Sequence, residues 1–328
     1  MINEQFQHRH AAHCESGVAS TLMSHHGAAM SEAMAFGLSS ALSFAYLPFV
    51  KLTGFPLIAY RMPPKFILKG VAKPFRTNFR FETFRKPDEG MRRLDELLAQ
   101  GKVVGLQTSV FWLPYFPEDM RFHFNAHNLL VYGKEGDDYL ISDPVAEEPQ
   151  RCAAADLQRA RFAKGVLAPK GLLYYPETLG RTRVDADEIR KAIRRTVRIM
   201  LGPIPLIGVR GMRMLAGKVA RLKADEYGLN YVGHIVRMQE EIGTGGGGFR
   251  FLYASFLQEA AEITGLTELN ALAERMNEIG DGWREFGLKA VRMIKGREAF
   301  DPALLSGMLR SQADREAEFF KMLKRAVA

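Results

Sequence analysis

Strand-like segments run out near Val184, and from there onward the chain reads as helix alone. Apolar residues recur at helical spacing over residues 189–200, 212–222, 232–241, 249–263, 266–294 and 302–326. Pro203 and Pro205 fix the link between the first two stretches, and Gly280 with Gly282 is expected to break or bend the fifth. No unit of fixed length repeats, which argues against a solenoid. Upstream the pattern is mixed. Residues 57–60, 79–83, 103–107 and 171–175 read as short strands, and 91–100 and 156–163 as helices. The apolar stretch 33–50 is broken by Gly37, three serines and Pro48, so it suits a buried helix and strand better than a membrane span. The expected architecture is α+β over 1–180, a leading helix on an antiparallel sheet, followed by an all-α domain over 181–328. A chain of 328 residues gives each part enough for its own core.

The leading helix begins at a cysteine. Residues 14–29 are helix-permissive, with Val18, Ala19, Leu22 and Met23 at helical spacing and no proline. Cys14 therefore sits where unpaired N–H groups and the positive end of the helix dipole favour a thiolate. Such a position, with an imidazole nearby, is how a cysteine becomes a nucleophile. The plainer alternative is a small buried hydrophobe.

A hairpin far downstream shifts that balance. An apolar strand runs through Val131 and Tyr132, a polar turn contains Gly136, and a second strand over 139–142 closes on Asp143-Pro144. His127 heads the first strand and Asp143 ends the second, so an antiparallel return sets them side by side. A carboxylate there can hold the imidazole by one nitrogen. Cysteine on an early helix, then histidine on a strand, then an acid is the chain order of papain-like cysteine enzymes. The expected triad is Cys14, His127 and Asp143.

These residues also carry a resemblance. His13-Cys14-Glu15-Ser16, Gly27, Ser31-Glu32-Ala33 and Phe36-Gly37-Leu38 resemble the N-terminal domain of butirosin-biosynthesis protein H, and the His127–Asp143 hairpin is similar to that family's second motif. The glycine run 243–248, then Phe249-Arg250, Tyr253, Phe256 and Leu257, resembles the helical domain of unknown function that often follows. The resemblance implies a papain-like fold and acyl transfer from a carrier-protein thioester to an amine. It does not fix the substrate.

Two cysteines give no disulfide framework, and the N-terminus lacks the build of a signal peptide, so a cytoplasmic protein is expected. From residue 181 onward 25 Lys+Arg stand against 19 Asp+Glu, which is +6 of the net +8. No nucleic-acid motif accompanies this basic excess, and no membrane association is expected. An acidic acyl-carrier protein agrees better with thioester chemistry, although a solvated basic face needs no partner at all. A homodimer is also compatible with the sequence.

Other candidates are weaker. His8, His10 and His13, with His25 and His26, lack the paired spacing of a metal site, so neither metal nor cofactor is expected. Glu32 structures the loop around Cys14 or touches substrate. Trp112, in the aromatic loop 111–117 ahead of His127, lines an acyl or acceptor pocket or is ordinary core. The run containing Gly246 lacks a P-loop's lysine-serine ending. It is a hinge, or a loop that meets a phosphopantetheine phosphate with help from Arg250.

The chain is thus expected to be an acyltransferase of specialised-metabolite biosynthesis, taking an acyl group from a carrier-protein or CoA thioester through Cys14 to an amine. The alternatives are a cysteine hydrolase with the same triad, and a non-catalytic partner in a biosynthetic assembly.

Overall fold

The computed structural model describes residues 2–52, 54–242 and 245–328. In chain order the first part holds α1 (Cys14–His25), α2 (Glu32–Leu38), β1 (Leu42–Leu52), β2 (Phe55–Arg61), α3 (Phe66–Ala72), β3 (Asn78–Glu82) and α4 (Pro87–Ala99). Then come β4 (Val104–Thr108), β5 (His127–Glu135), β6 (Asp138–Ser142), β7 (Gln150–Ala153), α5 (Ala154–Arg161) and β8 (Leu173–Thr178). The remainder is helical: α6 (Ala186–Met200), α7 (Gly208–Val219), α8 (Glu226–Glu240), α9 (Arg250–Thr264), α10 (Glu268–Ile294) and α11 (Pro302–Ala326). The fold is α+β followed by a largely helical region, as the change of period near Val184 implies.

Two compact units form, and a single cut at residue 180 does not separate them. One comprises Met1–Ala35 and Ile67–Val184, the other Phe36–Phe66 and Asp185–Ala328. The β1–β2 hairpin belongs to the helical unit because its apolar side finds its cover there. Phe44 and Tyr60 pack their rings on the indole of Trp283 in α10, and the Tyr46 N–H donates to the carbonyl of Leu206.

In the first unit six strands pair antiparallel in the order β3-β8-β4-β5-β6-β7. Strand alternation sends Val104, Leu106, Leu129, Val131 and Leu173 to one face, where Leu94, Leu97 and Leu98 of α4 and Leu157 of α5 complete the core. Helix α1 packs on β5, the strand that begins with His127.

The second unit departs from expectation at Gly280 and Gly282. Helix α10 runs through both without a break. A Cβ at Gly280 would lie 2.8 Å from the Phe251 ring, and one at Gly282 would lie 2.6 Å from the Gln312 amide. These glycines admit neighbouring side chains to the helix surface, and the close approach accounts for them without a break. No helix among the described residues is long and apolar enough to cross a membrane.

Candidate active site

Cys14 is the first residue of α1, and the turn before it is held from several sides. His13 is the N-cap in extended conformation, its Nδ1 accepting from the Ser16 N–H at 3.2 Å. Glu32 braces this turn. Its carboxylate accepts from the N–H groups of Ala12 (2.9 Å) and His13 (2.8 Å) and from the Ser16 hydroxyl (2.9 Å). Burial raises the Glu32 carboxyl above its usual range, against the pull of those three hydrogen bonds.

The same N-terminal segment grips the end of the β6 strand. The Ala11 N–H donates to the Pro144 carbonyl at 2.6 Å, and His8 Nδ1 lies 2.8 Å from the Ser142 hydroxyl. Gly17 faces Pro144 so closely that a Cβ would stand 2.6 Å from the proline's own. Asp143 is thereby fixed beside the helix that begins with Cys14.

His127 heads β5, paired with Thr108 of β4. Its Nε2 lies 2.6 Å from Oδ2 of Asp143, with both side chains buried. A carboxylate only accepts, so this nitrogen carries the proton. The Cys14 side chain acts on the same imidazole by hydrogen bond and charge. Burial is the largest influence on the His127 ring and disfavours its charged form. Asp143 and then Cys14 outweigh it, raising the imidazole from its ordinary 6.5 to about 10. The edge of the Phe116 ring meets the imidazole at a centroid distance of 5.6 Å, and the Tyr115 hydroxyl donates to Asp143 Oδ2 at 2.7 Å. The sequence marked that loop as aromatic but gave no sign of which ring touches the acid.

The other candidates lie elsewhere. Trp112, 37% exposed, lines a cavity of about 470 Å³ with Phe111, Pro114, Glu118, Arg121, Asp156 and Arg159. Cys14, His127 and Asp143 are not among its lining residues. Gly246 and Arg250 belong to the helical unit and serve its interior. Gly243 and Thr244, which open the glycine run, lie outside the described residues. In the rest of the run, the Gly247 N–H donates to the carboxylate of Glu240 at 3.2 Å. Arg250 is fully buried. Its Nε and Nη2 donate to Glu316 at 2.9 Å each, and its Nη1 to the Gly248 carbonyl at 2.6 Å. The guanidinium holds the loop to α11. The histidines diverge as well: His8 reaches Ser142, His13 caps α1, and His26 Nδ1 lies against the Leu22 carbonyl. Among the described residues no three His, Cys, Asp or Glu side chains gather as a metal site requires.

Two family models match the chain: butirosin biosynthesis protein H, N-terminal, over residues 13–144, and a domain of unknown function (DUF4872) over 155–323. The chain belongs to the DUF4872 family, whose model spans just over half of it, and the butirosin biosynthesis protein H N-terminal domain precedes that segment. A search of curated proteins returned no match. The first of these two family matches supports a biosynthetic role in the broad sense. In this family member Cys14, Glu32, Trp112, His127 and Asp143 all lie in the first matched segment, and Gly246 and Arg250 in the second.

The raised imidazole makes a stability prediction for this butirosin H-like chain. A group whose folded pKa lies above its unfolded value stabilises fully below the unfolded value. That contribution is lost as pH climbs from about 6.5 to about 10. His127→Gln is therefore expected to lower the urea midpoint more at pH 6 than at pH 10. An equal loss at both would show that the ring is not charged in the fold.

Proposed function

We propose that the chain is a cysteine-dependent acyltransferase. The Cys14 sulfur, its proton taken up by the His127 imidazole, attacks the carbonyl carbon of a carrier-protein or CoA thioester. The carbon–sulfur bond of the donor breaks, its thiol leaves with the proton from His127, and the acyl group stays on Cys14 as a new thioester. An amine then attacks that thioester, His127 takes its proton, and the amide departs as the Cys14 sulfur recovers a proton from His127. Asp143 orients the ring and stabilises its charge throughout. The backbone N–H of Cys14, first in its helix, is the oxyanion donor that this position supplies.

The observation that carries the reading is the buried 2.6 Å contact of His127 with Asp143 on an imidazole that also engages Cys14. Cys152 is the internal contrast: burial pushes its thiol up to about 12. Intact-protein mass spectrometry after exposure to acyl-carrier and CoA thioesters tests the proposal. A mass gain that maps to Cys14, with amide formed only when an amine is added, is the expected result. Equal release of free acid without amine would make the enzyme a hydrolase. No adduct from any thioester would overturn the reading.

A further inference from the structure

Resting on that reading, we propose that Tyr115 is a positioning residue for the His127–Asp143 pair. By holding Asp143 through the oxygen that the imidazole also uses, it sets the pH range over which the imidazolium persists. Oδ2 of Asp143 accepts from the Tyr115 hydroxyl at 2.7 Å and from His127 at 2.6 Å, while Oδ1 accepts from the Val145 N–H at 3.2 Å. Two strong donors on one oxygen divide its charge, so the phenol weakens what the imidazolium receives while fixing the carboxylate in plane.

The phenol is itself held in place. Leu113 of the same loop is fully buried, the rings of Tyr115 and Phe116 stand 4.9 Å apart, and Arg121 Nε donates to the Phe116 carbonyl at 2.8 Å. The groups that bear on His127 are Asp143 and Cys14, and those on Tyr115 are Asp143 and Cys152. Burial and the Asp143 charge hold the phenol well above its ordinary range, so it remains a donor at any working pH. A residue that merely filled space would need the ring and not the hydroxyl.

The test is the titration of the His127 imidazole by NMR in labelled full-length protein, its signal assigned by its absence from His127→Gln. Tyr115→Phe keeps the ring and removes the donor. It is expected to raise the His127 pKa by on the order of half a unit to one unit. 3-Fluorotyrosine installed at position 115 strengthens the donor with almost no change of shape and is expected to lower it. This second variant decides the matter if Tyr115→Phe does not fold. An unmoved titration, or shifts of the opposite sign, would overturn the inference. Acylation of Cys14 is followed separately in the same samples. Failure of the acyl-transfer reading thus shows as a missing adduct, and failure of the Tyr115 inference as a static titration.

Discussion

Cys14→Ala is expected to abolish the acyl adduct and to lower amide-forming turnover by about 10⁴-fold or more, the scale on which covalent catalysts fail without their nucleophile. The fold should survive, because the side chain is small and the turn around it is secured by Glu32 and His13 through the backbone. Thiol alkylation of the wild type supplies the paired measurement. Cys14 should react far faster than Cys152, whose thiol burial holds at about 12. Full activity in Cys14→Ala, or equal alkylation of the two thiols, would leave the chain a non-catalytic member of a biosynthetic assembly.

The second large effect is expected in the helical unit. Arg250 and Glu316 form an ion pair with both side chains wholly buried, and Glu316 also accepts from the Trp283 indole N–H at 2.8 Å. Removing one partner strands a charge in the interior. Glu316→Leu or Arg250→Met alone should each cost about 3–5 kcal/mol. The double variant, which strands neither charge, should cost much less than the sum of the two. Chemical denaturation of the three variants measures this. Additive single losses would mean that the two side chains do not depend on each other. Against a typical total stability of about 5–15 kcal/mol, either single change is severe.

Much of the fold was legible because the signals were local. The second-half helices announce themselves by apolar spacing, and α11 begins at Asp301-Pro302, where the aspartate caps and the proline suits the first turn. His127 and Asp143 were legible because a hairpin has only one way to bring its ends together. What was missed depends on distant partners. Strand β7 is short and carries no alternating apolar run, and it exists because it pairs with β6. Gly280 and Gly282 read as breakers until Phe251 and Gln312 are seen against them. The glycine run suggested an anion cradle, and nothing near Gly247 in sequence singles out Glu240 as the group that takes its N–H. Tyr115 is one aromatic among several in its loop, and only tertiary placement gives its hydroxyl the acid.

The β1–β2 hairpin carries a consequence for how the chain is made. It leaves the ribosome with Phe44 and Tyr60 uncovered, and the Trp283 that seals them follows more than two hundred residues later. At ordinary elongation rates that interval is roughly ten to forty-five seconds. During it an apolar two-stranded ribbon waits in the nascent polypeptide, exposed to chaperones and to neighbouring chains. A gene fragment stopping at residue 180 would carry the ribbon permanently orphaned, so excising the cysteine-bearing unit for expression calls for removing residues 36–66 as well.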